Sequence, residues 1–124
     1  MTLEGLIVQK LETITELNNN IYPLCVPESV PTPYIAYVQS GGVHGKDLDG
    51  FNNFEECSYE INILSEKYSQ LKSLEKKVLN VLKELIGEQV ENQIIQDIDI
   101  GAPIEQYEET IKLRRANIEF TVYF

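Results

Sequence analysis

The sequence predicts an α+β fold: a single domain over residues 1–124, ordered α-β-β-α-β-β, with a four-stranded antiparallel sheet and two helices packed on one face. Three observations predict it. Cys57, Tyr59, Ile61 and Ile63 alternate with Ser58, Glu60 and Asn62, and Ala116, Ile118, Phe120, Val122 and Phe124 alternate with Arg115, Asn117, Glu119, Thr121 and Tyr123. That period of two marks strands buried on one side. At Ser65 the period changes, and Tyr68, Leu71, Leu74, Val78, Val81, Leu82 and Leu85 recur at three- and four-residue steps, one face of an α-helix. A second helical stripe, Leu3, Leu6, Ile7, Leu11, Ile14 and Leu17, opens the chain. Two one-sided helices and several one-sided strands bury their apolar faces together most economically as one sheet with both helices on one side.

The first helix is expected from Thr2, a plausible N-cap, to about Leu17, where Asn18-Asn19-Asn20 makes a natural stop. Ile21 to Pro33 reads as an extended connector, because its four prolines remove donors and bias their predecessors away from the helical region. Tyr34 to Gln39 is a short strand rich in aromatic and β-branched residues. Ser40 to Phe54, with four glycines, reads as a long loop between two antiparallel strands; compact domains rarely carry such a loop idly, so it is a candidate interaction arm. Its glycines match neither GxxxxGK[ST] nor GxGxxG, which argues against a phosphate cradle. After the strand from Glu55, Ser65 is the expected N-cap of a helix over Glu66–Ile86, and Gly87 the expected left-handed C-cap. Such a helix would run roughly 31 Å at 1.5 Å per residue. Ile94 to Ile100 is expected as the third strand, Gly101 to Ile111 as a second, acidic loop, and Leu113 to Phe124 as the last strand. Ending on a core strand argues against a missing C-terminal domain.

The formal net charge of −10 makes the chain a poor DNA coat, since phosphate binding needs clustered Lys and Arg. An acidic surface keeps a protein soluble, repels DNA or meets a basic partner. No apolar run approaches the ~20 residues of a membrane helix, and the N-terminus lacks the apolar core of a signal peptide. Cys25 and Cys57, the two cysteines, lack CxxC spacing and read as reduced thiols.

Catalytic constellations are not legible. His44 is the one histidine and sits in the Gly-rich loop, with no ligand cluster around it for zinc. Asp97 and Asp99 share a strand face and could bind a divalent ion, although carboxylates two apart on a wet strand are usually solvated. Lys112, Arg114 and Arg115 form a basic cluster beside the acidic run Glu105, Glu108, Glu109, an arrangement that suits head-to-tail subunit contact. No cofactor, metal site or small-molecule substrate is expected.

An N-terminal amphipathic helix, then "IYPLCVPESVPTPYIAYVQ", a Gly-rich loop, "CSYEINILSEKYSQL" running from strand into helix, and a last strand "RRANIEFTVYF" together resemble the tail-terminator or tail-completion (head–tail joining) proteins of long-tailed bacteriophages and prophages. Pro33-Tyr34 and the strand-to-helix junction near Ile63–Leu71 carry most of the likeness, which spans about residues 3–124. The resemblance implies a non-enzymatic virion protein that caps the tail tube, helps join tail to head and works as a ring, commonly a hexamer. Its partners would be copies of itself, the tail-tube protein and the head-completion protein, with DNA only in passage through a lumen. It would reside in the virion tail, and in the host bacterial cytoplasm during assembly. The two loops would be the contacting arms: His44, Lys46, Asp47, Asp49 and Phe51 in the first, Glu105, Tyr107, Glu108 and Glu109 in the second, with Arg114 and Arg115 bridging to the next subunit's Glu105–Glu109. Two other readings remain: a small acidic binding module or phage-borne inhibitor that mimics DNA, and an enzyme with a metal on Asp97 and Asp99.

Overall fold

Alternation at 57–63 and 116–122 puts two rows of apolar side chains on the same side of two neighbouring strands, and these rows are the centre of the molecule. A computed structural model describes residues 2–47 and 50–124, and for 44–47 and 50–54 the backbone alone. Strand β3 (Gly50–Ser65) lies between β2 (Tyr34–Asp47) and β8 (Leu113–Tyr123), antiparallel to both. In register, Ile35, Ile63 and Ala116 form one rung, and Tyr37, Ile61 and Ile118 the next. Tyr59 and Phe120 stack with ring centroids 5.9 Å apart. All of these residues are buried.

Helices α1 (Leu3–Leu11) and α2 (Tyr68–Lys83) cover that face and share one core with it. Leu71, Val78 and Phe120 lie in this core, and β8 runs antiparallel to every strand it meets. Two helices on one sheet face are therefore as expected, but the sheet is larger than four strands. Among the described residues six strands build it. β1 (Ile21–Pro23) pairs with β2 in parallel, while β6 (Asp97–Ile100) and β7 (Ile104–Glu108) both lie along β8, β6 opposite residues 120–123 and β7 opposite 113–117. A separate small hairpin joins β4 (Gln89–Val90) and β5 (Gln93–Ile94).

Several element boundaries differ from expectation for identifiable reasons. The first helix ends at Leu11 rather than Leu17. Thr13 turns its hydroxyl back onto the Lys10 carbonyl at 2.6 Å, and Ile14 is extended, so the chain leaves the helix and resumes as a short 3₁₀ turn, Thr15–Leu17. Ile14 and Leu17 stay buried all the same, so the apolar stripe holds while the helix does not. Asn18 and Asn19 take positive φ, as befits the stop. Thr2 does cap the helix, accepting from the Gly5 N–H at 3.1 Å. Ser65 is buried in the strand-to-helix turn, where it accepts from the Lys67 N–H and donates to Gln70 Oε1; Lys67, not Ser65, occupies the N-cap position of α2. Tyr68, expected on the buried stripe, is half exposed because it precedes the first full turn against the sheet. The helix expected over Glu66–Ile86 ends at Lys83 with Glu84 as its C-cap, so Gly87 is not the cap; it does take φ +89°, in the turn that follows, where its N–H donates to the Ile95 carbonyl. The expected strand Ile94–Ile100 is broken at residues 95–96: Ile95 turns into the core and Ile94 out to solvent.

Two expected loops are strands. Gly101–Ile111 contains β7. Ser40–Phe54, instead of a loop, carries the continuing β2–β3 ladder through Gly41↔Ser58 and Val43↔Glu56 to Asp47↔Gly50, with register shifts after Gln39, Val43 and His44. The last β3–β8 pair is Glu56↔Tyr123, so the β2–β3 ribbon leaves the rest of the sheet at about Val43. Five residues of strand, Val43 to Asp47, reach ~16 Å at 3.3 Å per residue.

Candidate functional site

Three surfaces carry the residues that the sequence singles out: the projecting ribbon, the sheet face away from the helices, and the β7–β8 edge. The ribbon places the backbone of His44 opposite Phe54, Lys46 opposite Phe51, and Asp47 opposite Gly50. Their side chains, and Asp49 altogether, lie outside the described residues. What the backbone establishes is a two-stranded arm continuous with the central strand.

The outer sheet face is polar and cross-linked by side chains. Ser58 and Thr121, opposite one another, are hydrogen bonded at 2.8 Å. Asn117 donates to both Glu60 Oε1 at 2.6 Å and Asn62 Oδ1 at 3.0 Å, and the Tyr123 hydroxyl donates to Asp99 Oδ2 at 2.8 Å. Glu60 and Glu119 are direct cross-strand neighbours, a like-charge pair that costs stability where it stands. Gly101 is a close-approach position: its N–H donates to the Glu119 carbonyl at 2.8 Å, and a Cβ there would meet that oxygen at 3.3 Å. Asp97 is spent on the N–H of Ile98 and Asp99 on Tyr123. Among the described residues no group of three His, Cys, Asp or Glu side chains could hold a metal ion. Nor, among the described residues, is any helix long and apolar enough to cross a membrane. Both thiols are free, Cys25 exposed and Cys57 buried, and burial pushes the Cys57 thiol up, away from reactivity.

The basic and acidic residues near β7 meet within the chain. Arg115 pairs with Glu108 at 3.0 Å and donates to Gln106 at 2.6 Å. Arg114 donates to the Glu66 carbonyl and sits 5.6 Å from the ring centre of half-exposed Tyr107. Glu105 pairs with Lys72 of α2 at 3.0 Å and accepts from the Tyr68 hydroxyl at 3.2 Å. Glu109 follows β7 and is exposed. Thus β7 is clamped to α2 on one side and to β8 on the other, while Ile104 and Tyr107 stay open to solvent on an edge strand.

The residue that sequence reasoning missed is Glu75. It belongs by its charge to the solvated side of α2, yet it sits four residues after Leu71 and three before Val78, within the apolar stripe, and that spacing was the available signal. Its side chain is only 7% exposed, and its Oε2 has no hydrogen-bond partner. Burial, then the neighbouring Glu105 carboxylate, push its carboxyl up to about 7, against the pull of Lys72. Glu105 is held below the ordinary range, first by the proton Glu75 can donate and then by Lys72. A Glu75 raised in the folded state favours folding fully below its unfolded value near 4.5, and that contribution is lost as pH rises through 7. Glu75→Gln keeps a neutral donor at the site. Urea melts at pH 6 and pH 8.5 should therefore show wild type losing about 1–3 kcal/mol relative to the variant as pH rises; parallel pH profiles would contradict the assignment.

Neither a family model nor a curated protein matches the sequence. Solved structures do match. A chain in the virion of a native gene transfer agent particle superposes with a TM-score of 0.73 at 14% identity, covering 98% of this chain and 93% of that one. A second solved structure aligns with a TM-score of 0.55, also at 14% identity, over 99% of this chain and 92% of that one. At such identity the shared property is the fold, and it is shared end to end.

Proposed function

We propose that this chain is a non-enzymatic structural protein of a phage or phage-like particle, which caps the tail tube, helps join tail to head and acts as a ring of identical subunits, a hexamer in the assembled tail. The observation that carries the reading is the end-to-end fold match to a virion chain of a gene transfer agent. The arm and the polar sheet face support it. A two-stranded ribbon is marginal in water without something to pack on, and a repeated heterologous contact closes into a ring when its rotation divides a full turn. Copies of this chain, the tail-tube protein and the head-completion protein are the partners, and DNA meets the ring only in passage through its lumen. The protein acts in the virion tail and assembles in the host cytoplasm.

In this reading the arm, with His44, Lys46, Asp47, Asp49 and Phe51, reaches a neighbouring subunit or the tube. The β7–β8 edge supplies Glu105, Tyr107, Glu108 and Glu109, with Arg114 and Arg115 beside them. Light scattering of the purified chain over a hundredfold concentration range tests the reading. A mass that climbs to a fixed multiple of 14.2 kDa is expected; a monomer at every concentration, with and without tube protein, would contradict it.

A further inference from the structure

The exposed side of α2 and the outer sheet face carry charges of opposite sign. The exposed side of α2 carries Lys72, Ser73, Lys76, Lys77, Asn80 and Lys83, and the one acidic residue of the helix, Glu75, is buried. Lys72 and Lys77 pair with Glu105 and Glu16 of the same chain, whereas Lys76 and Lys83 have no partner among the described residues. On the opposite side of the molecule, the outer sheet face carries Glu56, Glu60, Asp97, Asp99 and Glu119. Register places Glu56 and Asp97 either side of Tyr123, and Glu60 against Glu119. No lysine or arginine stands in those rungs; Arg115, the cation of that face nearest to them in β8, is held by Glu108.

The helix layer separates the two sets, so a single chain cannot bring them together, and Glu60 and Glu119 remain juxtaposed without a counter-charge. A second copy can supply one. Sheet face against sheet face sets carboxylates against carboxylates, and α2 against α2 sets lysines against lysines. Two-fold, isologous pairing through either face is thus repelled, and sheet face against helix face is favoured. Because the two faces lie on different sides of the molecule, each copy that accepts a neighbour on its sheet side offers its helix side to the next, and the row closes into a ring when the rotation between copies divides a full turn.

We infer that the contact between copies of this chain runs from the exposed lysine stripe of α2, centred on Lys76 and Lys83, to the acidic outer sheet face around Glu60 and Glu119 of the next copy. The inference rests on the self-assembling reading above and specifies its interface. Heterologous order follows from the charges themselves, without appeal to the neighbouring folds.

Charge swaps test it. Lys76→Glu with Lys83→Glu makes both faces acidic; Glu60→Lys with Glu119→Lys makes both faces basic. Each double variant alone should raise the concentration for half assembly at least tenfold. An equimolar mixture should assemble again, because acidic and basic copies alternate, and so should the quadruple variant, in which both faces are reversed. Wild-type assembly should weaken as salt rises from 50 to 500 mM. Thermal melts of each variant separate lost assembly from lost folding. If wild type assembles and both double variants assemble equally well, this interface is wrong and the structural reading stands. If wild type never assembles, with or without tube protein, both fall. If a double variant fails to melt cooperatively, single Lys83→Glu and Glu119→Lys carry the same mixing test.

Discussion

Replacing residues 44–54 with a short Asn-Gly turn is expected to abolish assembly while barely moving the thermal midpoint of the monomer. Beyond Val43 the backbone of β2 pairs with β3 alone, past the last rung that β3 shares with β8. Shortening a connection of this length also costs little, because closure entropy changes slowly with loop length, by about 0.6 kcal/mol per doubling. Sedimentation and melting of the same variant measure the two effects separately. A variant that assembles like wild type would show that the arm is idle, and one that no longer folds would make it part of the core.

The largest loss of stability should follow Ile61→Ala. Ile61 is fully buried in the central strand, with Tyr37 opposite it on β2 and Ile118 on β8. Truncation removes three carbons from a site fixed on both sides by hydrogen-bonded strands, so collapse is limited and the cost is about 3 kcal/mol. For a chain of this size that lowers the midpoint by roughly 10–15 °C. The control is Glu119→Ala on the other face of the sheet, which removes one member of a like-charge pair and is expected to hold or raise the midpoint. Equal losses from both substitutions would mean that the two faces are not inside and outside as described.

The two helices, their common face and the strands at 57–63 and 113–123 were legible because each has a periodic apolar pattern that tertiary packing keeps. The Thr2 cap was legible because cap chemistry is local, and the positive φ of Gly87 because glycine adopts it freely, although Glu84 and not Gly87 caps α2. The arm was not: glycines and polar residues read as loop, whereas backbone pairing along a hairpin needs no apolar alternation. β7 escaped for a related reason, since Ile104 and Tyr107 on an edge strand are exposed and leave no one-sided pattern. β1 is three residues long and pairs in parallel with a strand more than ten residues away, which no local signal announces. Among the candidate contact residues, Arg114 and Arg115 lie opposite Tyr107 and Gln106 of β7, and their partners Glu66, Gln106 and Glu108 belong to their own chain. Glu75 was hidden by identity: a carboxylate was assigned to water, although its position on the wheel assigned it to the core.

Electron microscopy of the purified chain mixed with its tail-tube protein decides whether the chain caps a tube. Tubes closed at one end by a ring of this chain are expected, with the acidic sheet face of each copy against the α2 lysines of the next. Tubes that stay open at both ends, with the chain left monomeric in solution, would contradict that expectation.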